Sequence, residues 1–178
     1  MSAHAPAATT PSDLALLWMP ARVGRFLLVA LATLALAACE KDTRDTDIVN
    51  VKLAEVSEVW QDAKGNPLAV LFIDPRPQPQ FEDEHIPGAR NLLLTRFDGD
   101  KGRDPRITQF RQIIVYGDDP SSPIARAVVK RMLAMDYDEV RLFSGGLKEW
   151  KAANLPTERG PSAPLPNART NTSRGRAR

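Results

Sequence analysis

Cysteine and histidine are scarce in this sequence. Its 178 residues include one Cys, Cys39, and two His, His4 and His85. A single Cys excludes an intramolecular disulfide. One thiol and two imidazoles far apart in sequence are too few for a thiolate or imidazole zinc cluster. A Cys/His or Ser/His catalytic pair would have to use His85, because His4 lies in a segment expected to be removed. Aromatic residues make up only 6%. A run long enough to span a bilayer, about 20 apolar residues, is also lacking. The apolar stretch Phe26 to Ala38 has 13 residues. The composition is otherwise that of a packed chain, 43% apolar and 26% charged with a net charge of +2. This length suits one domain.

The short apolar stretch has a different meaning. Arg22 and Arg25 precede it, and it ends Leu36-Ala37-Ala38-Cys39. A positive leader, a short apolar core and small residues form an export signal. The last four residues resemble a bacterial lipobox, which implies that Cys39 is acylated and becomes the first residue of the mature chain. Residues 1–38 are thus expected to be a lipoprotein signal peptide. The leader is long, and Met19 would open a compact one, so translation is expected to start there. The implied location is the cell envelope, lipid-anchored and facing the periplasm. Glu40, where an Asp would retain the protein in the inner membrane, favours the outer one. Nucleic-acid binding is not expected of an exported chain.

Residues 39–47 read as a lipidated, polar tether. Residues 158–178 carry five Arg, one Glu and three Pro, with almost no large apolar side chains. They are expected to be a disordered basic tail. Between them, residues 48–157 alternate helix and strand. Leu53, Val56 and Val59-Trp60 recur at helical spacing within Val51 to Ala63, before Gly65-Asn66-Pro67. The continuous apolar runs Leu68 to Ile73 and Ile113 to Tyr116 suit strands buried on both faces of a parallel sheet. Ser122-Pro123 supplies an N-cap and a first-turn Pro for a helix over Ile124 to Met135. A strand over Glu139 to Phe143 and a helix over Leu147 to Ala153 follow Asp138 and Gly145-Gly146. This is an α/β pattern with a mostly parallel central sheet and helices on both faces.

Four segments now carry a resemblance. Ile73-Asp74-Pro75-Arg76, then Phe81 to Asn91 with its His85-Ile86-Pro87-Gly88, then Ile113 to Tyr116, and finally Val140 to Trp150 with Gly145-Gly146 follow one another in the order seen in rhodanese-like domains. The chain resembles that family, which implies its sulfurtransferase fold. The structural motif residues are then Asp74, Arg76, His85, Pro87, Gly88, Gly145, Gly146 and Trp150. Physically, Pro87-Gly88 suits a tight turn. Trp150 reads as core, and His85 as a hydrogen-bonded structural residue rather than a base. Asp74 and Arg76 fall at a strand's carboxyl end, where α/β sheets place their sites.

Active members of the family carry a Cys directly after the third of these segments, where it takes up a sulfane sulfur. Here Gly117 stands at that position. The loop Gly117-Asp118-Asp119-Pro120-Ser121-Ser122 reads as a degenerate site with no catalytic residue. Two carboxylates replace an anion cradle, and Arg126 is the expected counter-charge. Neither a cofactor nor a metal is expected. The expected function is a membrane-tethered, non-catalytic binding or scaffolding module, with a protein or peptide partner at loop 117–122. The alternative is a sulfur-relay role: binding thiosulfate or a persulfidated partner, or residual thiosulfate sulfurtransferase activity.

Overall fold

The computed structural model describes residues 43–168. The expected signal peptide and Cys39 lie outside the described residues, as do residues 169–178 of the tail. Five parallel strands form one sheet in the order β1-β5-β4-β2-β3. They are β1 Val49–Val51, β2 Val70–Asp74, β3 Arg90–Asn91, β4 Gln112–Tyr116 and β5 Val140–Phe143. The helices are α1 Leu53–Ala63, α2 Gln78–Asp83, α3 Pro105–Thr108, α4 Pro123–Ala134 and α5 Gly146–Ala152.

The continuous apolar runs are central strands because both of their faces are covered. Alternate residues of a strand face opposite sides of the sheet. Leu71 and Ile73 of β2 and Ile113 and Val115 of β4 join one core with Val128, Val129 and Met132 of α4. Val70, Phe72, Ile114 and Tyr116 join the other, with Val56 of α1, Phe81 of α2 and Leu147 and Trp150 of α5. Helix α1 buries the stripe Leu53, Val56, Trp60 and Ala63, the one-face spacing of an amphipathic helix.

Several boundaries differ from the sequence reading. Val51 lies in the edge strand β1, paired with Phe143, and the helix begins two residues later. Helix α2 and the short α3 occupy stretches without a legible period. In the polar tether, Asp45–Asp47 forms a 3-10 turn, and Asp45 pairs with Lys130 of α4 at 3.1 Å.

The largest difference concerns the basic tail. Its composition predicts disorder from Glu158 onward, yet its first part is docked on the domain. His85 and Glu158 exchange two backbone hydrogen bonds, of 2.9 and 2.8 Å. Gly160 N–H donates to Glu82 O at 2.8 Å, Ser162 Oγ accepts from Asn91 N–H at 3.0 Å, and Leu165 packs against the α4-side core. Backbone groups thus anchor a segment whose side chains offer little to bury.

Candidate functional site

The carboxyl ends of β2, β4 and β5 lie side by side. Ile73 pairs with Val115, and Tyr116 with Phe143. The residues just beyond them therefore meet at one sheet edge. These are Asp74 with Arg76, the loop from Gly117, and Gly145-Gly146.

At the centre of this edge is a buried ion pair. Asp74 is 0% and Arg76 5% exposed. Arg76 Nε lies 3.0 and 3.1 Å from the two Asp74 carboxylate oxygens, and Nη2 donates to Asp74 Oδ2 at 2.7 Å. Nη2 also donates to Glu84 O at 2.7 Å. The remaining amine, Nη1, lies 3.4 Å from Asp118 Oδ1. Burial pulls the Arg76 guanidinium down, but the hydrogen bonds and charge of Asp74 outweigh it, and the net shift is upward. Beside them Tyr116 is wholly buried, and its hydroxyl accepts from Ile86 N–H at 3.1 Å. Burial and then the Asp74 charge push its ionisation well above the ordinary range, so it stays protonated. Asn91 closes the arrangement, its Nδ2 donating to the carbonyls of Asp74 and Arg76 at 2.9 and 2.8 Å.

Loop 117–122 is held from two sides. The carbonyls of Gly117 and Asp118 accept from Leu147 N–H and Lys148 N–H, both at 2.9 Å. Gly146 makes this approach possible. Its φ is +64°, and a β-carbon there would come within 2.7 Å of both carbonyl oxygens. Asp119 Oδ1 accepts from Ser121 Oγ at 2.6 Å and from Ser121 N–H at 2.9 Å. These bonds hold the Asp119 carboxyl below its ordinary value. Ser122 occupies the N-cap position of α4, but its side chain makes no capping bond. It lies against Gly117 instead. A β-carbon on Gly117 would come within 2.5 Å of Ser122 Cβ and 3.3 Å of Ala125 Cβ. Asp118 and Pro120 are exposed, the Asp118 side chain by 67%.

The cation that reaches Asp118 is Arg76, from just beyond the adjacent strand β2, not the expected Arg126, its near neighbour in sequence. Lys148, at the start of α5, adds a favourable charge to Asp119. Sequence reasoning missed Lys148 because no spacing connects it to the loop.

His85 is 3% exposed. Its Nδ1 lies 2.7 Å from Phe81 O, and its ring stacks on Phe81 with centroids 3.8 Å apart. Nε2 faces the Glu158 carboxylate at 3.9 Å. No hydrogen bond joins it to Ser121 or Ser122 among the described residues. Ile86 to Ala89 form a turn closed by Ala89 N–H to Ile86 O at 3.0 Å, with Gly88 at φ +82°. Trp60 Nε1 donates to Pro87 O at 3.2 Å. Trp150 is fully buried, meets Trp60 edge to face, and donates to Pro156 O at 2.7 Å. Among the described residues no three His, Cys, Asp or Glu side chains converge on one point. Nor is any described helix long and apolar enough to cross a membrane.

Chemically, this edge has a buried, protonated tyrosine, a neutralised arginine and an exposed acidic loop. The described residues contain no thiol.

Comparison with known proteins gives these features a family context. A family model described as the rhodanese-like domain matches residues 55–153. The chain is 30% identical over 92 residues to an HTH-type transcriptional regulator of Mycobacterium tuberculosis, a match covering 51% of this chain and 38% of that protein. It is 28% identical over 120 residues to a putative thiosulfate sulfurtransferase of Synechococcus elongatus, covering 51% of this chain and 37% of that one. The chain thus spans little more than a third of either relative. A solved thiosulfate sulfurtransferase from Pseudomonas aeruginosa superposes with a TM-score of 0.50 at 26% identity, over 64% of this chain and 20% of that one. A protein from Bacillus halodurans superposes with a TM-score of 0.54 over 86% of this chain and 96% of that one. At 18% identity, that likeness is one of fold.

Proposed function

Because the chain belongs to the rhodanese-like domain family, we propose that it is a lipid-anchored envelope member that acts by binding a partner rather than by carrying sulfur covalently. One observation carries this reading: Gly117, at the carboxyl end of β4, has no side chain, and Ser122 fills the space beside it. Transfer of a sulfane sulfur from thiosulfate needs a thiolate that attacks the outer sulfur and releases sulfite. The chain's one thiol, Cys39, is read as the acylated anchor. The exposed part of loop 117–122, with Asp118 forward and held by Arg76, suits a basic peptide segment of a protein partner.

A second reading rests on the similarity to the putative thiosulfate sulfurtransferase of Synechococcus elongatus and the solved thiosulfate sulfurtransferase of Pseudomonas aeruginosa. In it the domain takes part in sulfur relay, holding thiosulfate or a persulfidated partner, or keeping residual transfer activity. The carboxylates of Asp118 and Asp119 oppose a bound anion and favour the first reading.

The test uses the full mature protein extracted from membranes in detergent. Thiocyanate formation from thiosulfate and cyanide is expected to stay at the protein-free rate. A photo-crosslinker at Ser121 is expected to give one dominant protein adduct, lost when Asp118 and Asp119 become Asn. Mass analysis of the amino-terminal peptide should find diacylglyceryl-modified Cys39, and Cys39→Ser should release the protein from the membrane fraction. Sustained thiocyanate formation would overturn the binding reading in favour of the second.

A further inference from the structure

One opening in the domain lies apart from loop 117–122 and shares no residue with it. It is a cleft of about 550 Å³ between the segment after β3 and the start of α3. Its floor is apolar, formed by Phe97 and Ile107, both buried, with Tyr137 beside them. Leu93 also lines it and is 43% exposed. Leu93 and Val49 are the two exposed large apolar side chains among the described residues.

The polar side of the cleft is cationic. Arg96 and Arg106 share one carboxylate, Asp104, with Nη2 to Oδ2 distances of 2.7 and 2.8 Å. Arg106 Nε donates to Asp104 Oδ1 at 3.0 Å. The Arg106 side chain and backbone bonds, together with Arg96, hold the Asp104 carboxyl down at about 2 against the opposing effect of burial. The carboxylate is therefore ionised, and the trio carries one excess positive charge. Arg106 Nη1 and further N–H groups of Arg96 remain beyond their bonds to Asp104. Two other cations line the cleft. Arg103 is turned onto the Asp136 carbonyl at 2.8 Å and Asp138 at 3.4 Å, and Lys101 pairs with Asp98 at 3.5 Å.

Two guanidinium forks arriving from different segments match a tetrahedral anion with several acceptor oxygens. Leu93, exposed at the same cleft, then offers contact to a hydrocarbon portion of the same molecule. We propose that this cleft binds an organic phosphate with an apolar body, its phosphate held between Arg96 and Arg106 and its hydrocarbon laid on Leu93. A soluble phosphate monoester and a phospholipid headgroup share this chemistry.

The test is calorimetric titration of the full chain with hexyl phosphate, with inorganic phosphate and hexanol as controls. Hexyl phosphate is expected to bind more tightly than either control. Arg106→Gln should weaken it about tenfold, the loss of one charge-assisted contact. Asp104→Asn should act in the opposite direction and tighten binding several-fold, because it removes the competing carboxylate while Asn can still cap α3. Arg126→Gln, outside the cleft, should leave binding unchanged. Melting temperatures without probe separate lost binding from lost folding. Dihexanoyl phosphatidylglycerol distinguishes the sources: binding of both probes indicates a lipid headgroup, and binding of hexyl phosphate alone a soluble monoester. Equal affinity for inorganic and hexyl phosphate, weaker binding by a folded Asp104→Asn protein, or no binding would overturn the proposal.

Discussion

Ser122 occupies the space that any side chain on Gly117 would need. A β-carbon on Gly117 would approach Ser122 Cβ to 2.5 Å, too close for a rotamer change of the hydroxyl alone to relieve. Gly117→Ala is therefore expected to overpack the site and cost about 1–3 kcal/mol of stability. Ser122→Gly in the same chain should recover most of it, a coupling that a double-mutant cycle in urea reads directly. Gly117→Cys alone should yield no thiosulfate-to-cyanide transfer. The negative loop already opposes a thiolate and its anionic donor, and the crowding by Ser122 is a second obstacle. Additive destabilisation by the two substitutions would show that the positions are not coupled.

The Arg76–Asp74 pair is expected to be the most sensitive polar contact at this edge. Arg76→Met would leave the Asp74 carboxylate buried without its partner, and such a loss costs about 3–5 kcal/mol. Arg76→Lys should recover only part of this, since an ammonium cannot reproduce the side-on fork to both oxygens while also reaching Glu84 O. Asp118→Asn should change stability by less than about 1 kcal/mol, because Asp118 is largely exposed. Urea midpoints of the three variants check the ranking.

The sheet was legible because β2 and β4 are short continuous apolar runs bounded by turn residues, and such runs are characteristic of strands covered on both faces. Helix α4 was legible from its first-turn Pro and its one-sided spacing. Strand β1 was not, since Val49 is exposed and only Val51 of its three residues is buried. Helix α2 is six residues long with Pro79 near its start, too short for a period to show. At the site, Asp74, Arg76 and Gly117 could be placed from strand ends. The pairing of Arg76 with Asp118 could not, because it spans 42 positions and depends on how β2 and β4 lie together. The docking of residues 158–166 was hidden for a similar reason. It runs through backbone groups and a few side-chain contacts, which composition does not encode.

Asp104 should leave a signature in the acid stability of the domain. Its value in the fold, about 2, lies below the ordinary 3.8, so folding favours the ionised form. That contribution is whole above about pH 4 and fades as pH falls toward 2. Asp104→Asn should therefore cost on the order of 1–2 kcal/mol at pH 7. The gap between variant and parent should close as pH is lowered from 4 to 2. Urea titrations at stepped pH give the two curves, and a gap that stays constant over this window would remove the charge on Asp104 as its cause.

The docked segment makes a prediction about local opening. His85 N–H is bonded to Glu158 O, and the Glu158 carboxylate accepts from Gly88 N–H at 3.0 Å while facing the His85 ring. The same stretch covers Asn91 through Ser162 and reaches Gln109 through the Pro166 carbonyl. Ending the chain after Thr157 would keep the Trp150 bond to Pro156 but strip these partners away. The amides of His85, Gly88 and Asn91 would then open to water, whereas the amides of β4 have their partners within the sheet. Hydrogen exchange of the shortened protein is expected to show lost protection at those three amides and near-parental protection across β4. Glu158→Ala is expected to affect Gly88 alone, because the bonds to His85 run through the Glu158 backbone and survive the substitution. Uniform loss across β4 in either protein would mean that the segment supports the whole fold rather than this turn.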